Sequence, residues 1–320
     1  EEFFKPIISI GNDWQVVQGA LAGVERIVQI LSLPTDGSLW QESPSRAEQS
    51  KIGELSVPPS RRDEALVEVR RVHFGYFPGQ EVLAGVSLVA RPGDHIAIVG
   101  HTGAGKSSLL HLLGGLYRPR SGTIRLAGKD PCALSLHERR AILGPVPQIV
   151  QLFSGTVLEN LTLGDARIPF EAVERAAAIS GADVFIRELP EGYATVLSES
   201  RGSGAQISVG QRQLMALTRA LVGNPDILLL DEATASVDGA TEAAFKKALQ
   251  THLYDRRGVV LTIAHRLSTA LDAGYVIVLE KGRVVEEGPP DDLLARGGLL
   301  ASLWELENAG WGWRVPTQQI

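Results

Sequence analysis

One glycine-rich segment, G-H-T-G-A-G-K-S at residues 100–107, constrains the fold of this 320-residue chain more than any other feature. It follows an apolar run over 95–99 and precedes leucines at helical spacing, so it predicts a tight turn between a strand and a helix. The backbone N–H groups of such a turn cradle a polyphosphate at the positive end of the helix. We expect Lys106 to reach the β- and γ-phosphates and Ser107 to bind Mg²⁺. The residues predicted to bind the nucleotide here are Gly100, Thr102, Gly103, Ala104, Gly105, Lys106, Ser107 and Ser108.

The structural alternative for this segment is an ordinary glycine-rich turn with an exposed lysine. The surrounding pattern argues against it, because short apolar runs alternate with helical stretches along the chain from Ala65 onward. This order predicts an α/β domain with a mainly parallel sheet. The run over 227–230 is apolar at every position, as expected of a strand covered by helices on both faces. The predicted strands span 67–72, 87–90, 95–99, 141–146, 227–230, 259–263 and 275–279.

Two consecutive carboxylates, Asp231 and Glu232, directly follow the predicted strand over 227–230. Placing both at the end of a buried strand is costly unless they have a function there. We expect Asp231 to hold Mg²⁺ through water and Glu232 to orient or deprotonate the attacking water. The alternative is a helix N-cap followed by an acid in the first turn.

The first 64 residues differ in pattern from the rest of the chain. Apolar residues between Val17 and Leu31 recur at a spacing of three to four, which predicts an amphipathic helix that needs a partner. The stretch over 34–64 is rich in Pro, Ser, Gly and acidic residues and has the composition of a linker, which argues against the helix packing on its own domain. The predicted segments are a helical segment over 1–33, a linker over 34–64, a main domain over 65–308 and a tail over 309–320.

The composition excludes several classes of function. The formal net charge is −6, without the basic domain typical of nucleic-acid-binding proteins, so nucleic acid is not expected as a partner. A single cysteine, Cys132, excludes an internal disulfide, and the histidines lack zinc-site spacing. No run approaches the roughly 18 apolar residues of a membrane span. Because the chain begins with Glu1 rather than Met, we expect it to be a piece of a longer protein.

The segment Ile207-Ser208-Val209-Gly210-Gln211-Arg212-Gln213 resembles the signature of ATP-binding cassette ATPases, L-S-G-G-Q, with Ile and Val replacing the family's Leu and first Gly. Other marks of that family stand around it in the family's order: Gln148 after Val146-Pro147, Ser236-Val237-Asp238, and Ile263-Ala264-His265-Arg266. The resemblance covers residues 65 to about 306. The stretch from Gln151 to Leu161 is similar to exporter cassettes rather than importer cassettes.

The resemblance implies a P-loop NTPase core with a mainly parallel sheet and an antiparallel β portion at its N-terminal end. A helical subdomain over about 149–222 would carry the signature. It also implies ATP and Mg²⁺ as ligands, and hydrolysis of ATP to power export. The implied partners are a second nucleotide-binding domain, in a homodimer or a heterodimer, and a transmembrane domain preceding Glu1. The whole transporter would sit in the cell (inner) membrane with this part on the cytoplasmic face, and this fragment alone would be soluble.

The resemblance also implies roles for residues on the chain's own side of the site. Tyr76 would stack on adenine, and Gln148 would contact Mg²⁺ and the attacking water together with Ser107 and Asp231. His265 would bind the γ-phosphate and hold the water and Glu232 in place. The structural alternatives are a packed tyrosine, a solvated loop glutamine and a structural histidine.

Four further residues would serve the opposing subunit. Ser208, Gly210 and Gln211 would bind the γ-phosphate of the other chain at a helix start, and Asp238 would organise the dimer seam. An Asp before a Gly is also common in ordinary turns, which is the alternative for Asp238.

Two other functions remain open from the sequence. A non-transport cassette ATPase of DNA repair or translation would carry coiled-coil insertions or tandem cassettes, and neither is visible in the sequence. A degenerate module would bind ATP without hydrolysing it. The presence of both Glu232 and His265 favours hydrolysis.

Overall fold

The computed structural model describes residues 64–197, 205–231, 239–264 and 266–308. The predicted helical segment over 1–33, the linker except Glu64, and the tail over 309–320 lie outside the described residues. Among the described residues, no helix combines the length and the apolar character needed to cross a bilayer.

The described residues form both strands and helices along the chain. The strands are β1 (Val67–Phe74), β2 (Leu83–Ala90), β3 (His95–Val99), β4 (Ser121–Leu126), β5 (Leu143–Val146), β6 (Gly155–Thr156), β7 (Val196–Leu197), β8 (Ile227–Asp231), β9 (Val259–Ile263), β10 (Tyr275–Glu280) and β11 (Arg283–Gly288). The α-helices are α1 (Lys106–Leu113), α2 (Leu136–Ile142), α3 (Val157–Thr162), α4 (Phe170–Ser180), α5 (Ala182–Glu188), α6 (Val209–Leu221), α7 (Gly239–Tyr254), α8 (Leu267–Leu271), α9 (Pro290–Ala295) and α10 (Leu299–Asn308).

The central sheet of the described part has the strand order β11-β10-β3-β9-β8-β5. All neighbouring pairs in it are parallel except β10 and β11. A separate antiparallel sheet has the order β2-β1-β4, and β6 pairs with β7. The prediction of an α/β domain with a mainly parallel sheet and an antiparallel portion at its N-terminal end is confirmed.

Strand β8 explains why the central sheet requires apolar residues at every position. Ile227 and Leu229 pack into the core shared with the antiparallel sheet and α1. Leu228 and Leu230 point to the opposite face, into the core formed by α3 to α7. Helices therefore cover both faces of this strand, and the strand delivers Asp231 to the carboxyl edge of the sheet.

The sequence prediction was wrong at some strand boundaries. Residues 141–142, predicted as strand, are the last two residues of α2, a helix that begins with a capping box of Ser135 and Glu138. Strands β4, β6, β7 and β11 were not predicted, and β6 and β7 have only two residues each. Only two of the six residues of β4 are buried and those of β11 are mostly exposed or half-buried, so neither carries a continuous apolar run.

Candidate functional site

The glycine-rich turn joins β3 to α1 and is shaped by its glycines. Gly105 has a φ of +104° and a Cβ there would lie 2.6 Å from Cδ2 of Leu83, so only glycine fits. Gly103, with a φ of +84°, faces open space. The turn is fastened from two sides, since the N–H of Ala104 donates to His101 O at 3.1 Å and the N–H of Gly282 donates to Ala104 O at 3.1 Å.

Helix α1 begins without a capping side chain. Gly105 is its N-cap residue and has no side chain that could accept from the first N–H groups. These N–H groups have no intrahelical acceptor, so they remain as donors at the positive end of the helix. Ser107 and Thr102 are exposed beside them, whereas Ser108 is buried. The arrangement is an anion site formed by backbone.

Lys106 places a cation inside this turn. Its side chain is only 5% exposed, and its Nζ donates to Gly100 O at 2.7 Å and to His101 O at 3.0 Å. Burial lowers the pKa of Lys106, and the charge of Asp231 opposes this shift. A buried ammonium held by neutral carbonyls lacks a directly bonded counter-charge among these contacts, and phosphate would supply one.

The carboxyl ends of the parallel strands bring the other predicted residues to the same edge. Asp231 pairs in register with Ile263 of β9, which in turn pairs with Ile98 of β3. Burial raises the pKa of Asp231, while the charges of His111 and Lys106 act in the opposite direction. Asp231 thus lies within the electrostatic reach of the turn, although the sequence separates it from Lys106 by more than a hundred positions.

Gln148 follows β5 at this edge and is exposed. Its backbone carbonyl accepts a hydrogen bond at 3.1 Å from Nε2 of Gln213, a buried residue of α6. Gln213 was not assigned a role from the sequence. Its amide connects the loop after β5 to the helix that carries the signature.

Tyr76, predicted to stack on adenine, lies next to α1. Its hydroxyl is within hydrogen-bond distance of Ser108 Oγ, at 3.0 Å, and of His111 Nδ1, at 3.2 Å. The ring is 40% exposed, so part of it is available for contact with a base. His111 was not predicted as a site residue; it lies one helical turn after Ser107, on a side of α1 that only the tertiary structure turns toward Tyr76.

The signature segment starts α6 with a capping box. Ser208 Oγ accepts from the N–H of Gln211 at 3.1 Å, and the N–H of Ser208 donates to Oε1 of Gln211 at 2.8 Å. Ser208 and Val209 are exposed, whereas Gly210 is buried. The Ser208 hydroxyl keeps its proton as a donor after capping. The side chain of Gln211, by contrast, already serves the cap.

Three of the predicted site residues, Glu232, Asp238 and His265, lie outside the described residues. Their roles stay predictions. The strand ends that precede two of them are described: Glu232 follows β8 directly, and His265 comes two residues after β9.

The described residues fit a nucleotide with Mg²⁺. The open cradle at Gly103, the uncapped start of α1 and buried Lys106 suit a polyphosphate. Mg²⁺ in such sites needs one or two carboxylates in addition to substrate phosphates, and Asp231 and Ser107 supply oxygens of the required kind. Within the described ranges, no three His, Cys, Asp or Glu side chains converge on one point.

Comparison with known proteins extends these observations. The family model described as ABC transporter matches residues 83–235. The chain is 39% identical over 302 residues to the ABC transporter ATP-binding protein YknV of Bacillus subtilis (strain 168), covering 94% of this chain and 47% of that protein. It is 37% identical over 298 residues to a fatty acid ABC transporter ATP-binding/permease protein of Mycobacterium bovis, covering 93% of this chain and 44% of that protein.

A solved structure of a bacterial Atm1-family ABC exporter with ATP bound has a similar fold. The TM-score is 0.71 at 31% identity, over 99% of this chain and 51% of that chain. The chain therefore spans about half the length of the relatives it matches.

Proposed function

This chain belongs to the ABC transporter family as an exporter-type ATP-binding domain, and from this premise we propose that it hydrolyses ATP at the carboxyl edge of its central sheet to drive an exporter. ABC transporter domains bind ATP and hydrolyse it to power transport. Within this chain the proposal assigns the phosphates to the turn after β3, Mg²⁺ to Ser107, Gln148 and Asp231, and adenine to Tyr76.

One observation supports the proposal above the others. The ammonium of Lys106 is buried at the uncapped start of α1, where it donates hydrogen bonds to two neutral carbonyls of the turn. Burying a charge is unfavourable unless a partner compensates it. A β- or γ-phosphate would compensate Lys106 and the free N–H groups of α1 together.

The residues at the carboxyl edge of the central sheet have different proposed roles in hydrolysis. Mg²⁺, when bound, would neutralise negative charge on the phosphates. Asp231 and Ser107 would hold it together with Gln148, whose backbone carbonyl accepts the hydrogen bond from Gln213 of α6. Glu232 accepts a proton from the attacking water and His265 orients that water against the γ-phosphate.

The second half of each site comes from another copy or a homologous domain. Ser208 is exposed at the start of α6 and retains a hydroxyl donor, which supports its proposed role toward the γ-phosphate of the opposing domain. Gly210 and Gln211 would lie at the same contact, and Asp238 at the seam. A transmembrane domain is the other proposed partner, placing this domain on the cytoplasmic face of the cell membrane.

The proposal is tested by phosphate release from ATP and Mg²⁺ by the purified 320-residue chain. We expect Lys106→Ala to lower the rate by about 10²–10³, the usual cost of removing a pre-organised electrostatic contact. Lys129→Ala is the matched control, because Lys129 is half-exposed and pairs with Glu138 at 2.6 Å, away from the turn. The control should retain the wild-type rate.

Two results would contradict the proposal. Wild-type chain that binds Mg-ATP in calorimetry without releasing phosphate would indicate the degenerate module instead. Lys106→Ala with the activity of the wild-type chain would show that the turn after β3 is not the phosphate site.

A further inference from the structure

The loop that carries Tyr76 is a short hairpin between β1 and β2. The N–H of Val82 donates to Phe74 O at 2.7 Å, which closes the base of the hairpin. At its tip the N–H of Gln80 donates to Phe77 O at 3.1 Å, with a proline and then a glycine of φ +82° between them. Proline followed by a residue with positive φ is the pattern of a type II turn. The hairpin is thus ordered at both ends, and Tyr76 lies between them.

Arg120, which directly precedes β4, reaches into this hairpin from outside. Its own N–H donates to His73 O at 2.8 Å, so its backbone is tied to the end of β1. Its Nη2 donates to Gly75 O at 3.2 Å and also to Phe77 O. One guanidinium nitrogen therefore donates to the carbonyls of the residues that flank Tyr76, Gly75 and Phe77.

Gly75 makes this approach possible. A Cβ at that position would lie 3.1 Å from Nη2 of Arg120 and would overlap the carbonyl of Gln80. The absence of a side chain at Gly75 thus serves both the fold of the hairpin and the access of Arg120 to it.

The ring of Tyr76 is held in one orientation by its neighbours. Phe74 and Tyr117 meet it edge to face, at centroid distances of 4.9 and 5.2 Å. The hydroxyl is within hydrogen-bond distance of Ser108 and His111 on α1. These contacts fix the ring only while its backbone stays in place, and the backbone is what Arg120 contacts.

We propose that Arg120 is a positioning residue that pre-orders Tyr76 for stacking on the nucleobase; this inference rests on the proposed function. Arg120 acts through the two carbonyls and touches no phosphate. Charge-assisted hydrogen bonds to both sides of Tyr76 restrict the hairpin before ATP binds, so that ATP binding costs less ordering of the loop. Arg120 should therefore affect affinity for nucleotides that have a base, and not the turnover of bound ATP.

The test is equilibrium calorimetry on the 320-residue chain with two probes, Mg-ATP and Mg-tripolyphosphate, which lacks the base. We expect Arg120→Ala to weaken Mg-ATP binding by about 5- to 10-fold, at the lower end of the range that base stacking supplies. Binding of tripolyphosphate and the rate at saturating ATP should be unchanged, so that KM rises without a change in kcat. Arg120→Lys should recover part of the affinity, because an ammonium can still donate to one carbonyl.

The matched control is Arg125→Ala, because Arg125 lies on β4, is exposed and donates to a turn carbonyl, Gly128 O at 3.0 Å, outside the hairpin. It should leave both affinities unchanged. In a Tyr76→Ala background, Arg120→Ala should have no further effect on Mg-ATP binding, since neighbouring residues that act together are not additive.

Three outcomes overturn the inference. Wild-type affinity of Arg120→Ala and Arg120→Lys for Mg-ATP would show that the contacts do not position Tyr76, and the proposed function would stand. An equal loss of ATP and tripolyphosphate binding in the Lys variant would mean that Arg120 supports the phosphate site or the fold. Failure of the wild-type chain itself to bind Mg-ATP would overturn the proposed function as well.

Discussion

Helices α1 and α6 are both predicted to present their N-termini to phosphate, yet they begin in different ways. Helix α1 follows Gly105, which offers no capping side chain, and its first turn carries buried Lys106. Helix α6 follows Ser208, whose side chain and that of Gln211 satisfy each other's backbone N–H groups. The start of α1 has no side-chain cap, whereas the start of α6 is capped in part by its own side chains.

The difference separates binding from stability. The first N–H groups of α1 would find their hydrogen-bond acceptors on a ligand, so the sequence there is constrained by the phosphates that it would hold. The start of α6 has a side-chain cap without a ligand and still offers the remaining proton of Ser208, the N–H groups of Val209 and Gly210, and the exposed surface around Val209. We infer that α1 can bind phosphate within one chain, whereas α6 contributes only when a second domain brings a phosphate to it.

The largest expected effect is that of a variant that keeps α1 of one domain and α6 of the opposing domain bound to the same ATP. Glu232→Gln keeps the size of the side chain but removes the proposed base, so hydrolysis should fall by about 10²–10⁴. Binding of ATP should hold or strengthen because one negative charge near the γ-phosphate is lost. Phosphate release and size-exclusion chromatography with Mg-ATP should then show a slow enzyme that accumulates as a dimer.

The matched control for this variant is Glu280→Gln, because Glu280 is the last residue of β10, which pairs in parallel with β3 in the central sheet, and has no proposed catalytic role. It should hydrolyse ATP at the wild-type rate. If Glu232→Gln loses hydrolysis and ATP binding together, Glu232 supports the fold or the metal, and the assignment of the base is wrong.

The second expected effect concerns only the uncapped start of α1. Gly105→Ala forces a residue with a Cβ into a φ of +104° and brings that Cβ to 2.6 Å from the side chain of Leu83. Strained backbone of this kind costs about 1–3 kcal/mol, so urea unfolding should shift to lower denaturant and Mg-ATP affinity should fall about tenfold or more. Gly103→Ala shares the positive φ but meets no neighbour within 4 Å, and it should lose less stability. Equal losses in the two variants would argue that strain, and not fit against Leu83, selects glycine.

Those parts of the site that are contiguous in the sequence could be predicted from it. The turn after β3 was predictable because its glycines, Lys106 and Ser107 are contiguous, and because apolar runs mark β3 and β8. The position of Asp231 followed from the end of such a run. In each case the information is local, and the parallel sheet alone brings the strand ends together.

Contacts between distant segments were not predictable. Arg120 lies 45 positions from Gly75, and Gln213 lies 65 positions from Gln148, so no local pattern relates them. Strands β4 and β11 were not predicted because their residues are only partly buried and carry no continuous apolar run. The end of α2 was taken for strand because Ala141 and Ile142 continue the apolar pattern of β5. Packing decides all of these positions.

The third prediction, of a smaller effect, concerns the capped start of α6. Ser208→Ala removes the cap and should lower the free energy of unfolding by about 1 kcal/mol, as measured by urea denaturation without nucleotide. In a Glu232→Gln background the dimer formed with Mg-ATP should also weaken, because the hydroxyl donor to the opposing phosphate is lost. Ser135→Ala is the matched control, since Ser135 caps α2 with the same type of box. It should lose similar stability and leave the dimer unchanged; a dimer weakened equally by both variants would assign the effect to stability alone.

The smallest effect, that of Gln211→Glu, distinguishes capping from phosphate contact at α6. Glutamate serves a capping box as well as glutamine does, and its charge is favourable at a helix N-terminus, so stability should hold or rise by about 0.3–1 kcal/mol. The same charge would face the γ-phosphate of the opposing domain, where like charges at contact distance cost about 1 kcal/mol even in water, or about fivefold in the dimer constant for each of the two contacts. The inverse exchange Glu138→Gln in the box of α2 should change stability in the opposite direction and leave the dimer unaffected. Sedimentation of the Glu232→Gln chain with Mg-ATP, with and without each exchange, measures both constants. If Gln211→Glu raises stability and leaves the dimer intact, α6 caps itself without facing a phosphate, and the two helix starts would differ in function as well as in construction.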